Sequence, residues 1–261
     1  QADDFQWAPS RITDWLYDGK YLEEPRKKDA APSVGAGCGT CGDDFIRSCG
    51  DDWIGIVRNA INDLKNRYDK VNLLGHSMGT AIAALLGAND DAVRRIIYVC
   101  PSFENLQMPL PSRIVLKLLS LFTPKIRCKW HPSSKYHLHY ENAPCDELYL
   151  GTEYFQWYFT KKLGEYYRIM KQGLKCIAEH PHEHLVICPM LDKIISVPST
   201  DLYRKAVGDR ANVIDIENAT HSVFYDKDPS AEEKAVDAII AFICMTRNQS
   251  GDIIACTNVI R

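Results

Sequence analysis

Apolar and polar positions along the chain fall into two rhythms that alternate. From Asp52 to Tyr68, in DWIGIVRNAINDLKNRY, the residues Trp53, Ile56, Val57, Ala60, Ile61 and Leu64 recur at helical spacing, with Asp51 or Asp52 as the N-cap. A polar break at Asp69 and Lys70 follows. VNLL then reads as a short buried strand, and TAIAALLGA, after Gly79, as a helix that is apolar nearly all round. AVRRIIYVC predicts a second buried strand, ending at Cys100 and Pro101. Further along, EHLVICPML and RANVIDIE predict two more strands. SAEEKAVDAIIAFICMT predicts a closing helix with Ala235, Val236, Ile239, Ile240 and Ile243 on its apolar face. Helices and buried strands that alternate in this way build a mostly parallel sheet flanked by helices, an α/β fold.

The alternation is interrupted between about Phe103 and His180. This stretch is rich in aromatic residues and lysine, as in YLGTEYFQWYFTKKLGEYYRIMKQ, and shows no strand-like alternation. It is too long for one crossover and too polar for core, and is expected to be an inserted helical cap. The expected division is residues 1–102 and 184–261 as the two parts of the core, with 103–183 as the cap. Within the cap, Phe155, Trp157, Tyr158 and Phe159 could line an acyl pocket or form the cap's own core.

Composition narrows the classes of function. With 261 residues, 46 % hydrophobic, 25 % charged and a net charge of -3, the chain can bury a sizeable core and has the balance of an ordinary globular protein. The basic run Arg26, Lys27 and Lys28 is too short for a phosphate-binding surface, so no nucleic-acid partner is expected. Ile114 to Phe122 is the apolar run nearest to a membrane segment, and Lys117 and Ser120 break it. No transmembrane span is expected, only transient contact with a lipid surface. The opening QADDFQWAPS has no basic segment followed by an apolar one, so a signal peptide is absent or removed.

Cys100, Cys188 and Cys244 lie in apolar runs and read as small buried hydrophobes. Cys38, Cys41 and Cys49 stand in the Gly-rich GCGTCGDDFIRSC, where no nearby histidine completes a zinc site. Free thiols or a local disulfide are favoured there over a metal or a redox centre. Neither a metal nor a cofactor is expected.

The chemistry centres on Gly75-His76-Ser77-Met78-Gly79, a G-x-S-x-G between a strand and a helix. Such a sharp elbow exposes the serine Oγ at the sheet edge, and the glycines allow close backbone approach. The N–H of Met78, at the helix N-terminus, can donate to a developing oxyanion. A serine hydroxyl needs a base. Of eight histidines, His221 alone follows a late strand and precedes the closing helix. His76 is inside the elbow, His131, His137 and His139 fall in the cap, and His180, His182 and His184 precede a strand. The acid that orients the imidazole should end the preceding strand, where Asp192 lies. Asp201, Asp209 and Asp215 are its rivals.

GDDWIGIVRNAINDLKNRYDKVNLLGHSMGTA, LDKIISVPS and ATHSVFYDKDP together resemble the α/β-hydrolase esterases and monoacylglycerol lipases. The likeness covers about Gly50–Cys100 and Leu185–Phe242 and is nearest to the small carboxylesterase and monoglyceride-lipase branch. It implies the α/β-hydrolase fold, with Ser77 as nucleophile, Asp192 as acid and His221 as base. The early strands and the H-G dipeptide usual in such enzymes are missing here or built differently. PSRITDWLYDGKYLEEPR resembles the segment after that dipeptide, which places Phe5 near the second oxyanion donor.

The implied activity is hydrolysis of a small-molecule ester, short- to medium-chain or monoacylglycerol-like, with an acyl-enzyme on Ser77. A thioesterase or amidase with the same triad is an alternative, as is a non-catalytic relative that binds a small ligand. The sequon Asn218-Ala-Thr220 adjoins His221, where a glycan would obstruct the site, so a cytoplasmic location is the expectation. Oligomeric state is not legible.

Overall fold

In the computed structural model of the chain the described residues are 46–66, 68–104, 110–127, 157–179, 181–192, 195, 197–221, 223–226, 228–244, 246–247 and 253–254. Phe5, the Arg26 to Lys28 run, Cys38, Cys41 and the middle of the expected cap, 128–156, lie outside them.

Helix α1 (Gly50–Lys65) begins two residues before the predicted start. Its cap is Cys49, whose N–H donates to the Asp52 carboxylate at 2.7 Å, so Asp52 closes the first turn from inside rather than capping it. Hydrogen bonds from the Cys49 side chain and then its N–H hold the Asp52 carboxyl below its usual range. The buried face differs by one residue from expectation. Ile54 is buried with Trp53 and Ile61, while Ile56 is 43 % exposed, because the 3.6-residue turn carries Ile56 past the edge of the stripe.

Strand β1 (Val71–His76) leads through Ser77 into helix α2 (Met78–Gly87), and β2 (Val93–Val99) follows. Helix α3 (Leu110–Leu119) leads to a short antiparallel pair, β3 (Ile126–Arg127) with β4 (Trp157–Tyr158). Then come α4 (Thr160–Ala178), β5 (Glu183–Pro189), α5 (Val197–Val207), β6 (Val213–Ile216) and α6 (Pro229–Cys244). A last antiparallel pair joins β7 (Thr246–Arg247) to β8 (Ile253–Ile254). The main sheet is four-stranded and parallel, in the order β1-β2-β5-β6, as the apolar runs predict.

Alternation along the inner strands sorts side chains onto two cores. Ile96, Tyr98, Val186 and Cys188 face a layer containing Trp53, Ala81, Ile82, Ile169, Met170 and Tyr203. Ile97, Val99, Leu185 and Ile187 face α6, through Ala235, Ile239 and Ile240. Both faces are therefore covered, as a parallel sheet requires. Buried Arg95 on β2 ties this arrangement to the end of α6. Its guanidinium donates to the Ile243 carbonyl at 2.8 Å and pairs with Glu183 at 3.1 Å.

The stretch expected as cap is not uniform. Its last helix, α4, packs on α2 and puts Ile169, Met170 and Ile177 into the main core. The two helices meet so closely at Gly173 that a Cβ there would lie 2.6 Å from the Ala81 carbonyl oxygen. Helix α3 behaves in the opposite way, with no buried residue. Its half-buried positions Arg113 and Leu116 turn inward, while Leu110, Ile114, Val115 and Leu118 face out, together with Leu121 and Phe122 beyond its end. No described helix is long and apolar enough to cross a membrane.

Candidate active site

Parallel strands bring their C-terminal ends to one edge of the sheet, and the loops that leave that edge carry Ser77, Cys100, Asp192 and His221. Ser77 follows β1, Cys100 follows β2, Asp192 stands three residues beyond β5, and His221 lies in the loop after β6.

Ser77 has φ 54° and ψ -123°, a left-handed conformation that only its surroundings can enforce on a non-glycine residue. Its N–H donates to the Val99 carbonyl at 2.9 Å, and its own carbonyl accepts from the Thr80 N–H at 2.9 Å and the Thr80 hydroxyl at 2.6 Å. Thr80 Oγ1 in turn accepts from the Ser102 N–H at 2.8 Å, which links the elbow to the loop after β2. Gly75 is needed for this turn, since a Cβ there would lie 2.4 Å from the Gly79 carbonyl oxygen. Gly79 is different: a Cβ at that position meets nothing within 4 Å among the described residues. Met78 supplies the first backbone N–H of α2, at the positive end of the helix dipole.

Asp192 and His221 come into direct contact. His221 Nδ1 donates to Asp192 Oδ2 at 2.7 Å, with both side chains almost wholly buried. This bond places the proton on Nδ1 and leaves the Nε2 lone pair free to take one, as a general base requires. The other carboxylate oxygen, Oδ1, accepts from the Ile195 N–H at 2.9 Å. Two main-chain bonds join the loops themselves, Met190 N–H to the Ile216 carbonyl at 3.0 Å and Leu191 N–H to the Ala219 carbonyl at 2.9 Å. The acid loop and the histidine loop are thus one hydrogen-bonded unit.

The rival acids are engaged elsewhere. Asp201 and Asp215 both pair with Arg204, at 3.2 and 3.3 Å, on the exposed side of α5 and β6, and Asp209 lies in the short 3-10 turn Gly208–Arg210. Among the histidines, His184 is buried with its Nδ1 bonded to the Tyr203 hydroxyl at 2.8 Å. His131, His137, His139 and His180 lie outside the described residues.

Three residues near the site carry roles that the sequence did not announce. His76, one position before Ser77, donates from Nε2 to the His221 carbonyl at 2.9 Å, and its ring centroid lies 5.0 Å from that of His221. Burial pushes its pKa down to about 4, so it is neutral at physiological pH. Cys100 donates from Sγ to the same carbonyl at 3.3 Å. It is fully buried with φ 54°, whereas an apolar run suggested only a small hydrophobe. Asp226 closes the histidine loop by accepting from both the N–H and the hydroxyl of Thr220, at 2.5 and 2.7 Å. Its only sequence signal is an acid five residues after a histidine in a polar loop.

A parallel sheet with helices on both faces, a strained serine elbow after one strand and a joined acid and histidine after two later ones define an α/β hydrolase. Residues 44–228, well over half of the chain, match the family described as serine aminopeptidase, S33, and the protein belongs to that family. The sequence matches no curated protein.

Solved structures give the same fold at low identity. The metagenome-derived lipolytic enzymes LipS and LipT include a chain that is 17 % identical, covering 80 % of this chain and 78 % of that one, with a TM-score of 0.62. A monoacylglycerol lipase from Paleococcus ferrophilus is 17 % identical over 75 % of each chain, with a TM-score of 0.59. A soluble variant of monoglyceride lipase from Saccharomyces cerevisiae, in complex with a substrate analog, is 16 % identical over 82 % of this chain and 72 % of that one, with a TM-score of 0.52. These are the kinds of enzyme that the sequence resemblance named.

Proposed function

We propose that the protein hydrolyses carboxylic esters through an acyl-enzyme on Ser77. The observation that carries this reading is the buried 2.7 Å bond from His221 Nδ1 to Asp192, at the same sheet edge as the strained Ser77 elbow. In the first half-reaction His221 Nε2 takes the Ser77 hydroxyl proton as Oγ attacks the ester carbonyl. The tetrahedral oxyanion accepts from the N–H of Met78 and, on the resemblance, from a second donor near Phe5. His221 then returns the proton to the departing alkoxide as the carbon–oxygen bond breaks. Water enters, loses its proton to Nε2 and attacks the acyl-enzyme, and Ser77 leaves with that proton while the carboxylic acid is released. Asp192 keeps the imidazole in one tautomer and stabilises the transient imidazolium.

An acyl chain of short to medium length, or a monoacylglycerol, suits the exterior of the molecule. The outward face of α3 and the turn after it is apolar, with Leu121 74 % and Phe122 85 % exposed. From Leu110 to Arg127 there is no acid, while Lys117, Lys125 and Arg127 are basic and Arg113 turns inward to Glu104. Such a face suits transient contact with a lipid surface on which an apolar ester resides. Amide hydrolysis with the same triad is the second reading, because the family is described as one of aminopeptidases.

A panel of p-nitrophenyl esters from acetate to decanoate, set beside acyl thioesters and p-nitroanilides, tests the proposal. Esters should give the highest kcat/KM, rising with acyl length. Faster anilide turnover would make the protein an amidase. Absence of turnover in all three classes would favour a ligand binder.

A further inference from the structure

Two side-chain donors converge on a single backbone oxygen, the carbonyl of His221. His76 reaches it from the end of β1 at 2.9 Å and Cys100 from the end of β2 at 3.3 Å. The donors come from adjacent strands, one residue before Ser77 and one residue after Val99, the residue whose carbonyl accepts from the Ser77 N–H. Elbow and histidine loop are therefore joined through the same two strand ends.

Cys100 holds the left-handed conformation, φ 54°, with its N–H donating to the Ile187 carbonyl at 3.0 Å. A non-glycine residue keeps such backbone only where its contacts over-determine it, and the strain aims the thiol at His221.

The side chains of His76, Cys100 and His221 each bring a potential metal ligand atom within 4.8 Å of the others. Their bonding argues against a metal. Nε2 of His76 and Sγ of Cys100 are spent on the carbonyl, and burial pushes the Cys100 thiol well above its usual pKa, away from the thiolate a metal needs.

We propose that His76 and Cys100 are positioning residues that set the main chain of His221 so that its imidazole meets Ser77. This rests on Ser77, Asp192 and His221 forming the acyl-transfer triad. The Asp192 bond orients the ring, but the ring swings about its own Cα, and only main-chain contacts fix where that Cα stands. Both donors act there. Because His76 is neutral, it adds no like charge beside the imidazolium that forms during turnover.

The test separates donor from bulk. His76→Phe and Cys100→Ala remove a donor while keeping an apolar residue in place, and His76→Gln and Cys100→Ser retain one. Donor-free variants should lose about 10- to 100-fold in kcat, the scale of a misplacement of up to ~1 Å, with KM within about twofold. The donor-retaining variants should recover most of the loss, and thermal unfolding of each variant shows that it is folded.

A second readout does not depend on activity. The downfield proton NMR signal of the His221 Nδ1–H, in its bond to Asp192, should broaden or exchange faster in His76→Phe and Cys100→Ala than in Cys100→Ser. Unchanged kcat in folded donor-free variants, or equal loss in Cys100→Ala and Cys100→Ser, would overturn the proposal. If the wild type turns over no ester, thioester or anilide, the triad reading fails, and an Nδ1–H signal that is the same in all variants would overturn the positioning role separately.

Discussion

Ser77 holds a backbone conformation, φ 54° and ψ -123°, that glycine adopts freely and serine does not, so its side chain and its strain can be separated by mutation. Ser77→Gly should abolish turnover and also raise stability by about 1 kcal/mol, the lower end of what a strained residue stores. Ser77→Ala should abolish turnover without that gain, and urea unfolding of both variants checks the pair. Asp192→Asn should keep the fold but lower kcat by about 10⁴-fold, because an amide NH2 facing Nδ1 favours the wrong tautomer of His221. That loss is read from steady-state kinetics. The pairing of His221 with Asp192 was legible in the sequence because strand ends are visible as the ends of apolar runs. His76 and Cys100 were not, since a hydrogen bond spanning 145 or 121 residues leaves no local pattern.

At the scale of the element, three glycines divide by what a methyl group would meet. Gly75→Ala would drive a Cβ to 2.4 Å from the Gly79 carbonyl, and Gly173→Ala would drive one to 2.6 Å from the Ala81 carbonyl. Each contact is with backbone, which cannot swing aside, so each substitution should destabilise by ~1–3 kcal/mol, the cost of overpacking. Gly79→Ala, with open space among the described residues and a helical position, should be neutral or stabilising by up to about 1 kcal/mol. Urea midpoints of the three variants rank them.

The G-x-S-x-G pattern treats its two glycines alike, and the structure distinguishes them. Gly75 is where the strand backbone passes against the helix, whereas Gly79 itself faces away. The boundaries of α4 were likewise hidden. Its core positions Ile169, Met170 and Ile177 are scattered among tyrosines and lysines, whose stems and rings blur the apolar stripe. The parallel strands were easier to read, because burial on both faces makes them nearly continuous apolar runs.

For the whole molecule, desolvation of two histidines contributes to the behaviour in acid. His76 and His184 are each pushed by desolvation from 6.5 to about 4. Unfolded, they take up protons near 6.5, so the unfolded state binds more protons than the folded one between those values. Their contribution is complete above about pH 6.5 and is lost as pH falls toward 4, by roughly 3 kcal/mol per histidine at the limit. Urea midpoints measured from pH 7.5 to 4.5 should therefore fall steadily, and His184→Gln should flatten the slope. A midpoint independent of pH would show that neither histidine is buried as described.

The architecture of the candidate active edge follows from the parallel sheet, which delivers the ends of β1, β2, β5 and β6 to one place although they lie far apart in sequence. Reaction of the protein with a fluorophosphonate probe, followed by intact mass and peptide mapping, tests the central claim most directly. One adduct per chain, located on Ser77 and absent from both Ser77→Ala and His221→Ala, is the predicted result. A folded wild-type protein that takes up no probe, or takes it up at another residue, would contradict the assignment of Ser77 as the activated nucleophile.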